Sequence, residues 1–436
     1  MQRYLSRFRS YGTTRGNLAV LLLAAGALVA ASSASATTYQ LLDLTTDDNT
    51  NLIKLGLPPA PNIDPNLVNP WGISFGPTTP FWVSDNHTGV STLYNAAGVP
   101  FPVGNPLVVT IASPNGSPPD FTSAPTGQVF NNNTSDFIVT NGLPPTDPNF
   151  KSGSANFIFA TEDGTISGRS GAVSANQSFI GVDSSPNGAV YKGLTIAPVG
   201  GHNFLFAANF NSGMVEKYDS SFARVTSFTD PALPPVPAGT PAGQNWAPFN
   251  VQLINGQLYV TFALQDAAKH DDVAGAGHGF VDVFNTDGTF VKRLINTGAS
   301  NPLNSPWGLA IAPAGFGAFA NDLLVGDFGD GKINVFDPIT GAFLGTLDGS
   351  DGNPIELPGL WAITAGNGGA GVDPNAIYFT AGLPNFDMPD LGLEQDGLFG
   401  VLSVLVPEPG SLLLVASGLT GLLWARRRRR SPSIQI

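Results

Sequence analysis

Three landmarks recur in the same order six times along this chain, and no other feature restricts its fold as strongly. The first is Pro306-Trp307-Gly308-Leu309, which returns as Pro70-Trp71-Gly72-Ile73 and, more loosely, as Pro125-Thr126-Gly127-Gln128. It continues as Tyr191-Lys192-Gly193-Leu194, Pro248-Phe249-Asn250-Val251 and Leu360-Trp361-Ala362-Ile363. Taking Gly72, Gly127, Gly193, Asn250, Gly308 and Ala362 as equivalent, the steps are 55, 66, 57, 58 and 54 residues. The second landmark is a β-type run such as PFWVSDN, FLFAANF or DLLVGDF. The third is a run opening on glycine, such as GVSTLYNAAG, GMVEKYDSS or GKINVFDPITG.

One repeat shows what the unit is. Residues 304–347 contain four runs rich in Val, Ile, Leu or Phe, at 308–312, 322–326, 332–337 and 342–347. Each is bounded by Gly, Pro, Asn or Asp, which punctuate strands. Four antiparallel strands in about 45 residues form one blade of a β-propeller. Such a sheet cannot bury both faces alone and needs copies of itself on either side. The expectation is therefore all-β: a six-bladed propeller of four-stranded antiparallel blades over residues 37–405. Blade two, over 124–173, is the least regular and carries an insertion at 141–153. The strand at 39–44 is placed to pair beside 398–404, completing blade six and covering an apolar edge. Residues 55–70 read as an irregular lead-in.

The two ends differ from the body. Residues 1–36 carry Arg3, Arg7, Arg9 and Arg15, then an apolar run at 18–31, then Ala34-Ser35-Ala36. That order predicts a secretory signal helix cleaved before Thr37. At the other end, residues 406–436 hold Pro407-Glu408-Pro409, an apolar run at 411–425 and five arginines beginning Arg426-Arg427-Arg428. Fifteen helical residues span about 22 Å, less than an ordinary bilayer core of about 30 Å, which suits a transient transmembrane tether. The arginines would stop it on the cytoplasmic side. Tripeptide, apolar helix and arginine cluster together resemble the PEP-CTERM sorting signal. The resemblance implies export from a Gram-negative bacterium, transient residence in the inner membrane and recognition by an exosortase. Processing near the tripeptide would follow, with release or attachment at the cell exterior, often alongside exopolysaccharide or biofilm systems.

Composition narrows the function classes. There is no cysteine, so disulfides, thiolate metal sites and Cys nucleophiles are excluded. Nine of the 19 basic residues sit at 1–36 and 426–436, leaving residues 37–425 with 10 basic against 32 acidic, a net charge of −22. So acidic a body argues against nucleic-acid binding. Residues 323–337, LLVGDFGDGKINVFD, look like an NHL-type propeller repeat. The body as a whole resembles a family of bacterial propellers that often bear PEP-CTERM tails, on segments 69–73, 84–94, 265–284 and 323–347. That resemblance implies a fold and a location but no reaction.

Two constellations could carry chemistry. Gln265 to Asp272 replaces a tight turn in blade four, and His270, Asp271, Asp272 and His278 together with Asp266 could ligate a divalent cation such as Ca or Zn. Polar loop clusters of this kind more often serve as solvated or turn-forming groups. The second is a set of equivalent positions after the second landmark: Asp85, Glu162, Asn209, Asp266 and Asp327. If these converge near one end of the channel they could hold one cation there, as in lactonases of the gluconolactonase class, to which the likeness is architectural only. The alternative is that they cap strand ends; Asn86, His87 and Asp330 in adjacent turns share that ambiguity. Trp71, Trp307 and Trp361 share one position and are expected between blades as core. No GxSxG motif is present, and four histidines do not assemble a triad. The sequence thus supports an exported module that binds glycan or protein, with a metal-dependent hydrolase or lactonase as the alternative and a purely structural module as the third option.

Overall fold

Five repeats each fold as a four-stranded antiparallel sheet and the sixth supplies three strands of its blade, because each landmark has its own place in the sheet. The computed structural model describes residues 37–298, 301–387 and 392–405. The expected signal helix at 1–36 and sorting helix at 406–436, with Pro407, Glu408, Pro409, Arg426, Arg427 and Arg428, lie outside the described residues. The first landmark opens the innermost strand of every blade: Pro70–Ser74, Pro125–Phe130, Tyr191–Val199, Trp246–Ile254, Pro306–Ile311 and Leu360–Ala365. The second and third landmarks become the next two strands, for example Leu323–Asp327 and Ile333–Phe336 in blade five. Blades one, three, four and five run in simple sequence order from the axis outward.

The sheets close into a ring. Six apolar clusters lie between successive blades, and the last joins blade six to blade one through Tyr378, Phe399, Phe81 and Tyr94. The closure is sealed by the N-terminal strand Tyr39–Thr46, which pairs antiparallel with Asp396–Val404 from Tyr39↔Val404 to Thr46↔Leu398. Tyr39 is 1% exposed, stacks on Phe316 at 4.6 Å and donates its hydroxyl to the Phe316 carbonyl oxygen. Two parts of the chain are more ordered than expected. The lead-in holds a short helix, Asn49–Lys54, and a strand, Asn62–Ile63, parallel to the seal. Blade two extends past residue 173 to its outer strand Phe179–Asp183, and its insertion forms the hairpin Ile138–Thr140 with Ser152–Ser154.

The recurring glycine has a mechanical reason. The pairing register shifts at that place in the innermost strand of every blade, for example between Pro70 and Ile73, Tyr191 and Gly193, and Pro306 and Gly308. A β-bulge in each strand bends it sharply where six strands crowd one axis. A Cβ on Gly72 would come 2.6 Å from the Thr126 carbonyl oxygen, and one on Gly308 2.8 Å from that of Trp361. The next blade's backbone fills the space.

The residue before the bulge is Trp71, Thr126, Lys192, Phe249, Trp307 or Trp361. Trp71, Phe249, Trp307 and Trp361 meet in one cluster although they come from blades one, four, five and six. Trp71 stacks on Trp361 with centroids 3.4 Å apart and meets Trp307 edge-on at 6.1 Å. The tryptophans are buried as expected, but across the axis rather than between blades. They plug the channel.

Candidate functional site

Lys192 occupies the same position as those tryptophans, so the fold drives an ammonium group into an aromatic plug. Its side chain is 3% exposed, and Nζ lies 5.2 Å from the Trp71 ring centroid. A buried charge must be paired. Glu162, from the turn after the second strand of blade two, forms an ion pair with it, and Asp271 Oδ1, from the long loop of blade four, lies 3.0 Å away. Burial alone would lower the Lys192 pKa; Glu162 and Asp271 together outweigh it and hold the ammonium charged, above the usual lysine range.

Neutral amides extend the network around the mouth. Asn86 Nδ2 donates to Glu162 Oε2 at 2.9 Å. Asn69 Nδ2 donates to Glu394 Oε1 at 3.1 Å and to Asn86 Oδ1 at 3.3 Å, while its own Oδ1 accepts from Trp361 Nε1 at 3.0 Å. Asn69 holds this place with φ of +50°, a left-handed conformation that Asn tolerates better than most residues. The Lys192 carbonyl oxygen accepts from Trp307 Nε1 at 3.0 Å. The indole N–H of Trp71 is buried and has no acceptor among the described residues.

Electrostatics divides the acids by environment. Burial, reinforced by Glu162, pushes Glu394 up to about 7 against the pull of Lys192. Burial lifts Asp272 to about 6. Asp271 is held far below the carboxylate range by its hydrogen bond with His270 and by Lys192, and the same bond raises His270. His87, exposed at the rim, is lowered by partial burial.

The sequence candidates separate accordingly. Glu162, His270 and Asp271 come together, with donor atoms within 4.8 Å of one another. Asp85, Asn209 and Asp327 do not join them. Each instead reaches a partner seven residues on, inside its own blade: Thr92 Oγ1 to Asp85 Oδ2 at 2.8 Å, Asn209 Nδ2 to Glu216 Oε1 at 3.1 Å, and Asn334 Nδ2 to Asp327 Oδ2 at 2.7 Å. Burial raises the pKa of both aspartates well above the usual value. Asp266 Oδ1 caps the loop by accepting from the His270 amide at 2.8 Å, and His278 Nδ1 pairs with the Val273 carbonyl at 2.8 Å. Asp330 bonds the Lys332 amide in its own turn. Sequence reasoning missed Lys192, Asn69 and Glu394. The signal for Lys192 was available, since it is the one charged residue among six equivalent positions.

The trio Glu162, His270 and Asp271 has the donor types a divalent cation takes. Its two carboxylates are also the two that Lys192 pairs with, so a metal there would have to displace the ammonium.

Comparison with known proteins gives the chain its relatives. "Uncharacterized protein R648" of Acanthamoeba polyphaga mimivirus is 33% identical over 328 residues, covering 74% of this chain and 73% of that protein. "Uncharacterized protein L690" of the same virus is 31% identical over 349 residues, covering 79% and 82%. This chain belongs to the family of those viral proteins. Residues 405–430 match the PEP-CTERM protein-sorting motif. Among solved structures, a streptogramin B lyase is similar over 85% of this chain and 98% of its own, at 10% identity and a TM-score of 0.39. A glucose dehydrogenase is similar over 84% and 100%, at 12% identity and a TM-score of 0.42. Neither likeness bears on ligand or reaction.

Proposed function

We propose that the protein is an exported binding module of the cell surface or extracellular matrix, taking a glycan of the exopolysaccharide at the charged mouth of its channel. The sorting motif at 405–430 implies export and membrane anchoring of the tail. On this reading an exosortase of a Gram-negative host processes the tail, and the body is an NHL-like propeller held at the exterior.

The observation that carries the reading is Lys192, locked between Glu162 and Asp271 on an aromatic floor. An amine acts as a nucleophile only when neutral, and this one is held charged, which supports recognition over covalent chemistry. Around it stand carboxylates, imidazoles and the Asn86 amide, groups suited to the hydroxyls and amino groups of a glycan. The buried Trp71 N–H adds a donor whose lack of a partner costs about 1–3 kcal/mol until something accepts from it. A glycan array probed with the exported protein tests this. Binding that Glu162→Gln and Asp271→Asn both abolish supports the mouth as the site; binding indifferent to both removes it. Cell fractionation tests delivery: Glu408→Ala should leave the protein in the membrane fraction, and normal release of that variant would sink the sorting step.

One observation favours a second reading, a metal-dependent hydrolase or lactonase: the donor atoms of Glu162, His270 and Asp271 lie within 4.8 Å of one another. A melting temperature indifferent to excess Ca or Zn, in a protein purified without metal, would eliminate it.

A further inference from the structure

The channel has a second end. Two places after the bulge position the innermost strands carry Ser74, Val129, Thr195, Gln252, Ala310 and Thr364. Five of these line a funnel of about 310 Å3 on the far side of the aromatic plug from Lys192, and Ala310 lines an adjoining hollow that shares Gln252 and Thr364 with it. Four of the six are neutral hydrogen-bonding side chains. The size is at the small end of the range of about 300–1,000 Å3 usual for ligand pockets.

Those polar groups are not needed to build the channel. Val129 and Ala310 show that an apolar residue is accepted at this place. Nor are the groups fully spent internally. Ser74 is 8% exposed, and its hydroxyl is buried without a partner among the described residues. Thr195 Oγ1 accepts from the Leu253 amide at 3.1 Å, which leaves its proton free to donate. A buried hydroxyl with no partner costs about 1–3 kcal/mol, so such groups have to be explained.

The rest of the lining selects the ligand. Among the described residues no charged side chain lines the funnel, so they offer nothing there to neutralise an ion. Phe75 and Phe130 supply an apolar wall, and Phe130 packs so closely over Gly76 that a Cβ there would lie 2.7 Å from its ring. Inward, the funnel narrows to a throat of about 40 Å3 lined by Gln128, Asn250 and Trp307. The amides of that throat are already committed, Gln128 Nε2 to the Gly72 carbonyl and Asn250 Nδ2 to that of Trp307, each at 2.8 Å. A throat of that volume has room for water.

From the unspent hydroxyls and amide, the aromatic wall and the absence of charge, we infer that this funnel binds an uncharged sugar ring through Ser74, Thr195, Gln252 and Thr364. It is a second site, separate from the charged mouth, and stands or falls independently of it. The test is calorimetric titration of the exported protein with methyl glycosides of glucose, galactose, mannose and N-acetylglucosamine, with glucuronate as the charged comparator. At least one neutral glycoside should bind saturably and more tightly than glucuronate. Gln252→Leu and Thr364→Val, both at solvent-accessible positions, should together weaken that binding at least tenfold with the melting temperature unchanged. The inference is overturned by no saturable binding of any neutral glycoside, by a preference for glucuronate, or by binding that survives the double variant. Binding lost instead in Glu162→Gln would also overturn it, moving the sugar to the charged mouth.

Discussion

Replacing Lys192 by methionine tests whether the charged mouth is built as described. Methionine keeps an unbranched apolar stem one atom shorter and removes the charge over Trp71. Two ion pairs vanish, but they are not equal. The Asp271 side chain is 66% exposed and stays solvated without its partner, so that pair is worth under about 1 kcal/mol. The Glu162 side chain is 12% exposed and is left as a buried, uncompensated carboxylate, a loss of about 3–5 kcal/mol. Unfolding entropy of about 2.1 cal/mol/K per residue gives a propeller of roughly 370 residues about 0.8 kcal/mol per kelvin. Lys192→Met should therefore lower the melting temperature by about 5 °C in calorimetry. Adding Glu162→Gln removes the stranded charge, and the double variant should recover most of the loss, with a coupling energy of about 2–3 kcal/mol. If Lys192→Met is as stable as the native protein, or the two losses simply add, Lys192 and Glu162 are not the buried pair on which the site rests.

Three further outcomes follow from the same geometry. Glu394 is raised from 4.5 to about 7, so the folded state holds its proton more tightly than the unfolded chain and this group's contribution falls as pH rises through that window; Glu394→Gln should match the native protein near pH 4.5 and exceed it by about 3 kcal/mol at pH 8 in urea unfolding. A Cβ on Gly127 would collide with the backbone of Gly193 and Leu194, neither of which can yield; Gly127→Ala should cost about 1–3 kcal/mol by thermal melting, whereas Gly171→Ala, whose nearest neighbour is the Arg169 side chain at 3.5 Å, should be neutral. Tyr39→Ala, which empties the seal beside Phe316, should cost about 3–5 kcal/mol; an unchanged melting temperature would mean that the N-terminal strand does not hold the ring shut.

The blade count and the seal were legible because both are repeat properties. Six copies of one pattern define six sheets, and an apolar strand left over at one end has one unpaired edge to cover. Irregular stretches were less legible. The parallel strand Asn62–Ile63 and the hairpin in blade two are short and lack alternation, so only tertiary pairing reveals them. The aspartates after the second landmark read as convergent because sequence position gives the strand end but not the side to which the side chain turns. In Asp85 and Asp327 it turns to Thr92 and Asn334 inside the blade.

The proposed site lies where the repeat is broken. A residue that recurs in blade after blade answers a demand every blade makes: the glycine for the crowded bulge, the tryptophan for the plug. Neither distinguishes one sector of the ring from another, so neither can orient a ligand. Lys192 departs from the pattern at a position where four of the other five blades place an aromatic ring in the plug. Asp271 and Glu394 come from loops that blades four and six alone possess, and Glu162 is the blade-two member of a set whose other acids stay inside their blades. These departures lie on different blades and meet at one mouth. Independent irregularities in a repeat would scatter around the ring if they were only tolerated. Their convergence around one buried ammonium is the structural argument on which the proposed site rests.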